Sequence, residues 1–165
     1  MLTVLLATGI AVVLLFGFVV FFGPPYLPTR RRQAEAALDL LDLQPGQTLL
    51  ELGSGDGRIA RLAARRGLQV VAIELNPALV LISRLVTWRY RKHVRIVWGN
   101  YFSVPWPGSV AGIFTFMVGR QMPALDAHVN TWRAGNPARL ASVAFRIPGK
   151  KAAASRKGVF LYEYD

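Results

Sequence analysis

Cysteine is absent from all 165 residues, which excludes a disulfide framework, a zinc–thiolate site and a thiol nucleophile. Histidine is nearly absent: His93 and His128 have no partner ligands at metal-binding spacing, so no metal centre is expected. Acids are scarce, nine against twenty Lys and Arg, leaving a net charge of +11. The first 29 residues contain no charge of either sign. There is no internal repeat and no low-complexity run. Outside the uncharged start the apolar content is that of an ordinary globular domain, which excludes a disordered, collagenous or coiled-coil chain. The length suits one small domain.

The uncharged start is rich in apolar side chains, at 18 of its first 22 positions. As a helix it would extend about 33 Å, enough to cross a hydrocarbon core. A cleaved leader would want a basic start and a small-residue cleavage site, and a buried core helix is the third reading. Here no charge precedes the run, and Gly23-Pro24-Pro25 follows it. Arg30-Arg31-Arg32 just beyond it favours an N-out, C-in anchor with the remaining chain on the cytoplasmic side. The expected organisation is a transmembrane anchor over 1–22, a Pro-rich and basic linker over 23–33, and one small globular domain over 34–165.

Within that domain the pattern alternates between strand and helix. Helices are expected over Ala34–Leu43, Ile59–Arg66, Asn76 to about Arg91, and Pro123–Trp132. Strands are expected over Thr48–Leu52, Gln69–Glu74, Val94–Trp98, Gly112–Met117, Arg139–Phe145 and Val159–Tyr164. Asn76-Pro77 is a helix start, with Asn at the N-cap and Pro at the first helical position. Such alternation predicts an α/β fold with a mainly parallel sheet covered on both faces. The last two strands, joined by a short basic turn, are expected to pair antiparallel.

Chemistry concentrates in Glu51-Leu52-Gly53-Ser54-Gly55-Asp56-Gly57-Arg58, where the first strand meets the next helix. Glycines at such a turn permit tight backbone and close ligand approach. The spacing is G-x-G-x-G, not the G-x-G-x-x-G of dinucleotide sites. Glu51 before the turn and Asp56 within it make an anionic rim, unsuited to a pyrophosphate and suited to a cationic ligand. S-adenosylmethionine, with a sulfonium and an ammonium and no phosphate, is such a ligand. Glu74 closes the second strand, where a carboxylate can accept ribose hydroxyls, a feature shared with NAD sites.

Glu51-x-Gly53-x-Gly55-x-Gly57 followed by Glu74 resembles the class I S-adenosylmethionine-dependent methyltransferases. An apolar start before Pro25-Tyr26-Leu27-Pro28-Thr29, then Leu49–Ile59 and Glu74-Leu75-Asn76-Pro77, is similar to the small membrane-anchored protein-lysine methyltransferases of mitochondria and their bacterial relatives. These act on the ATP synthase c subunit or the adenine nucleotide translocase. The resemblance implies a Rossmann-like sheet of six or seven strands, the last antiparallel, preceded by one transmembrane helix. It implies S-adenosylmethionine as cofactor, with Glu51 at the ammonium end and Gly53, Gly55, Asp56 and Gly57 around the methionine part. Glu74 would take the ribose, with Leu75 and Asn76 beside the adenine. Asn100, then Tyr101, occupies the place after the third strand where the family often has an acid. Tyr26 and Thr29 would line the cofactor or acceptor entrance, or serve only as linker.

A lysine acceptor on a membrane protein follows from that resemblance. No general base is visible in the sequence, and no catalytic residue is identified. Phe116-Met117-Val118-Gly119-Arg120 lacks the Asn/Asp-Pro-Pro-Tyr/Phe motif used on amide and exocyclic amine nitrogens, which argues against those acceptors. A small or lipidic acceptor and an inactive cofactor-binding module are the other readings. Trp88-Arg89-Tyr90-Arg91-Lys92-His93 and Lys150-Lys151 with Arg156-Lys157 are basic surfaces. They fit anionic lipid first, a solvated face second and nucleic acid last. Trp106, between two prolines, is read as packing before acceptor rim.

Overall fold

The computed structural model describes residues 1–6, 9–10, 28–133 and 137–164. Most of the expected anchor, with Tyr26, lies outside the described residues. Among the described residues no helix is long and apolar enough to cross a membrane.

Four helices and seven strands follow: α1 (Arg31–Leu41), β1 (Thr48–Leu52), α2 (Arg58–Arg65), β2 (Gln69–Glu74), α3 (Pro77–Val86), β3 (Val94–Trp98), β4 (Gly112–Thr115), α4 (Met122–Arg133), β5 (Ala138–Val143), β6 (Ala154–Arg156) and β7 (Val159–Tyr164). They build one sheet in the order β3-β2-β1-β4-β5-β7-β6. The pairs among β1 to β5 are parallel, and β7 runs antiparallel to both β5 and β6. This is the Rossmann-like arrangement expected, with the seventh strand inserted in reverse.

Strand periodicity explains the two layers. Successive side chains of a strand point to opposite faces. Leu49 packs with Ala37, Leu38 and Leu41 of α1 and Ala60 and Ala63 of α2, together with Val80 of α3. Leu50 and Leu52 pack on the other face with Met122, Leu125 and Val129 of α4. Strands buried on both faces read as continuous apolar runs, as β1, β2 and β4 do. The second layer is completed by Trp106, whose ring lies 4.6 Å from His128 and 5.4 Å from Trp132. Its indole N–H donates to the Tyr101 carbonyl at 2.7 Å. Trp106 therefore packs, as read from the sequence.

Several boundaries differ from the sequence expectation. α3 stops at Val86, not near Arg91. The Thr87 hydroxyl donates to the Ser83 carbonyl at 2.7 Å, and the chain tightens into a 3₁₀ turn over Trp88–Tyr90. β4 ends at Thr115, two residues before Met117, and a second 3₁₀ turn occupies Gly119–Gln121. The connection from β5 to β7 is not a plain short turn, because it contains β6. That strand, Ala154-Ser155-Arg156, is short and largely exposed, so it has no apolar pattern to betray it. It exists through backbone pairing with β7 alone.

The β5–β6 connection is anchored by Tyr162, whose buried hydroxyl accepts the Ile147 amide at 2.9 Å. Tyr162→Phe would leave that buried N–H unpaired, at a cost of about 1–3 kcal/mol. Denaturant titration of the detergent-solubilised protein should show the loss as a lower midpoint with an unchanged slope.

Candidate functional site

The carboxyl ends of β1, β2 and β4 meet where the parallel strands diverge, and ligands of open α/β sheets bind at such crevices. The turn after β1 uses three left-handed glycines, with φ of 85° at Gly53, 53° at Gly55 and 77° at Gly57. They have different surroundings. A Cβ on Gly53 would meet open space, whereas a Cβ on Gly57 would lie 2.9 Å from the Ser83 Cα of α3. Gly53 therefore faces room for a ligand, and Gly57 lets α2 start against α3.

Glu74 ties the two turns together. Its Oε2 accepts the Gly55 amide at 2.8 Å and its Oε1 the Asn76 amide at 2.9 Å. Each carboxylate oxygen keeps further acceptor capacity. Asn76 caps α3 as expected, its Oδ1 accepting the Ala78 amide at 2.9 Å. Leu75 is half-buried, and its carbonyl accepts the Trp98 indole N–H at 3.0 Å.

Glu51 is only 1% exposed, and its Oε2 has no hydrogen-bond partner among the described residues. Burial first, then the negative charges of Glu74 and Asp56, push its carboxyl well above the usual glutamate range, against an Ala60 amide that lowers it. Ser54 Oγ and Thr115 Oγ1 are also buried without a partner among the described residues. The register sets Thr115 beside Leu52 and Phe114 beside Glu51. Glu51 shares the sheet face of Leu49 and Phe114, and Thr115 the opposite face with Leu50 and Leu52. Unpaired buried polar atoms are costly, so the buried acid next to the glycine turn is the one that marks a place for a polar ligand group. Ser54 stood inside the glycine turn, and Thr115 is the polar residue in an otherwise apolar strand; neither was singled out from the sequence.

The other expected residues have hydrogen-bond partners of their own. Asp56 pairs with Arg58, which donates from Nη2 to its Oδ2 at 2.7 Å, so part of the rim's negative charge is offset locally. The same guanidinium donates to the Thr29 carbonyl at 3.4 Å, and thus holds the buried Thr29 against the glycine turn. Asn100 is exposed, and its Oδ1 already accepts the Phe102 amide at 2.9 Å. Tyr101 donates its hydroxyl to Gln121 Oε1 at 3.1 Å. Burial, then Glu74, push its phenol up to about 12, so it stays protonated and can serve as a donor but not as a base. Gln121, in the turn after β4, was not legible as a site residue. Arg31, Arg58, Arg61 and Arg65 line a groove of about 270 Å³ between α1 and α2, beside the crevice and not in it.

Residues 51–154 match the family described as ANTKMT methyltransferase domain. The chain belongs to that family. It is 35% identical over 129 residues to the lysine N-methyltransferase of the ATP synthase c subunit from Xenopus laevis, covering 75% of this chain and 54% of that protein. The Rattus norvegicus counterpart is 37% identical over 105 residues, 62% of this chain and 47% of that protein. The chain thus spans about half the length of these curated relatives. An RNA methyltransferase from Salinibacter ruber, crystallised with S-adenosyl-L-homocysteine, superposes with a TM-score of 0.71 at 23% identity, over 84% of this chain and 92% of that one. That likeness establishes the fold, the seven-stranded methyltransferase sheet.

Both the acid and the glycines of this ANTKMT-family site can be tested. In the ligand-free protein burial raises the Glu51 carboxyl above its unfolded range, so stability falls as pH rises from the ordinary glutamate range towards the raised value. Glu51→Gln should stabilise the ligand-free protein at neutral pH and flatten that dependence, as read by denaturant midpoints across pH. For the glycines, Gly57→Ala should cost roughly 2 kcal/mol or more through strain and collision with Ser83. Gly53→Ala should spare the helix packing and show its main loss in ligand affinity by calorimetry.

Proposed function

We propose that this protein is an S-adenosylmethionine-dependent methyltransferase, tethered to a membrane, that N-methylates a lysine of a membrane protein. The observation that carries the reading is the buried Glu51 side chain, whose Oε2 has no hydrogen-bond partner among the described residues, two positions before Gly53, where a Cβ would meet open space. A ligand ammonium fits that oxygen, because a cation restores the charged carboxylate and supplies its missing hydrogen bond. Glu74, whose oxygens retain acceptor capacity, suits two ribose hydroxyls, and Leu75 offers an apolar edge for a base. The residues present therefore fit S-adenosylmethionine; Asn100 would contribute less than an acid would, since its neutral amide lacks the charge that strengthens a hydrogen bond. Once bound, the cofactor offers an electrophilic methyl group on a sulfonium.

The protein's own contribution is positioning and exclusion of water. In-line transfer depends on holding two groups in register. A lysine must first be neutral, at a cost of about 4–5 kcal/mol at pH 7. Desolvation at an apolar mouth lowers that cost, and Tyr101, Phe102, Val104 and Met117 supply apolar surface in this region. Tyr101 and Gln121 place a phenol and an amide there for orientation.

The lysine acceptor is supported by relatives named as lysine N-methyltransferases of the ATP synthase c subunit. The tether is supported by the uncharged apolar start and the Arg30–Arg32 cluster beyond it, which set the domain on the cytoplasmic side. A small or lipidic acceptor is the second reading, favoured by the same proximity to lipid.

Calorimetry should show S-adenosylmethionine binding with no NAD binding, and Glu51→Ala should weaken it by at least about tenfold, as expected for a lost charge-assisted contact. Incubation of membranes with methyl-labelled cofactor should then label protein, in a form that acid hydrolysis returns as methyl-lysine. Label confined to extracted lipid would select the second reading. NAD binding alone would overturn the methyltransferase reading itself.

A further inference from the structure

Leu81, Ile82 and Leu85 of α3 are 62%, 43% and 76% exposed, and Trp88 and Trp98 are 62% and 65% exposed. Beyond residue 10, these five are the only large apolar side chains strongly exposed among the described residues. They are not scattered. Residues 81, 85 and 88 follow helical spacing, and the opposite side of α3 buries Val80 and Ser83 against the body. Trp98 joins the row because its indole N–H donates to the Leu75 carbonyl, one residue before the N-cap of α3. Trp98 also pairs in register with Glu74, so the row runs from the crevice along the β3 edge to the 3₁₀ turn.

The charge around this ridge has one sign. No acidic residue occurs from residue 75 to residue 125, while Arg84, Arg89, Arg91, Lys92 and Arg95 are all exposed. Arg91 stacks over Trp88 at 4.8 Å. Aliphatic side chains with tryptophans at the level of a cationic border are the pattern of an interfacial helix on anionic lipid. A two-fold contact between copies would set the same cations against each other. A bilayer carrying anionic phospholipid complements both the apolar crest and its border.

We propose that the α3 ridge is a second membrane contact, in which Leu81, Leu85, Trp88 and Trp98 enter the interface of an anionic bilayer and hold the mouth of the crevice at the lipid surface. This goes beyond a tether. A tether sets only a distance to the membrane, whereas the ridge sets an orientation.

The lack of cysteine makes the test direct. Full-length Leu85→Cys and Ala127→Cys proteins, the latter on exposed α4 across the sheet, carry one environment-sensitive thiol probe each. They are reconstituted with vesicles of phosphatidylcholine, with or without a quarter phosphatidylglycerol, and recovered by flotation. The Leu85 probe should shift to the blue in the anionic vesicles. Brominated acyl chains should quench it at least about twofold more than the Ala127 probe, with a smaller effect in neutral vesicles. Leu81→Glu/Leu85→Glu should reduce quenching of the native tryptophans while leaving cofactor binding unchanged. Flotation with a Leu85 probe as wet as the Ala127 probe would overturn the ridge and leave the tether standing. Failure to float would remove both. A shift seen without lipid, on adding RNA or on raising protein concentration, or one that requires a co-reconstituted acceptor protein, would also overturn the lipid assignment.

Discussion

The two oxygens of Glu74 hold the site together. One takes the Gly55 amide from the turn after β1, and the other takes the Asn76 amide from the turn after β2. Two loops that belong to different strand–helix units thereby share one carboxylate. The close start of α2 against α3, which only a glycine at position 57 allows, depends on the same juxtaposition. Glu51, near the end of the neighbouring strand, feels the charge of Glu74. A charge-assisted pair of backbone hydrogen bonds is a modest interaction taken singly. Its importance lies in where it acts, at the join between the turns after β1 and β2.

Polar atoms are buried at the carboxyl edge of the sheet at some expense to the fold. Glu51, Ser54 and Thr115 each bury an oxygen without a partner among the described residues, in a region otherwise packed as apolar core. An apolar substitution would be more comfortable at any of the three. Glu51 lies on one face of the sheet and Thr115 on the other; under the proposed function a ligand ammonium completes the hydrogen bonding of Glu51. The same economy explains Tyr101, a phenol held protonated by burial and aimed at Gln121. The proposed membrane contacts rest on other parts of the chain, the uncharged start with Arg30–Arg32 and the exposed apolar row of α3.

Much of the fold was legible because it rests on local chemistry. β1, β2 and β3 are short apolar runs bounded by glycine or a helix start, and their limits fall where the sequence placed them. The Asn76-Pro77 cap is realised by its own side chain. β6 was not legible, because Ala154-Ser155-Arg156 owes its strand character to pairing with β7 and not to any pattern of its own. The end of α3 was not legible either, since a hydroxyl back-bond at Thr87 competes with helix continuation only once the helix exists. At the site, Glu51, the glycines and Glu74 declared themselves by spacing, while Thr115 and Gln121 did not.

The sequence by itself determined the α/β alternation, the family, the glycine turn and the acids at its base. These follow from periodicity, propensity and conformational freedom, all of which act within a few residues. Tertiary structure decided which of those residues do what. It turned Asp56 to Arg58 and engaged Asn100 with its own loop. It also set Thr115 beside the β1 turn across a strand pair and gathered Leu81, Leu85, Trp88 and Trp98 into one row. Burial, hydrogen-bond competition and cross-strand register depend on what the rest of the chain places nearby, so no local pattern could have reported them.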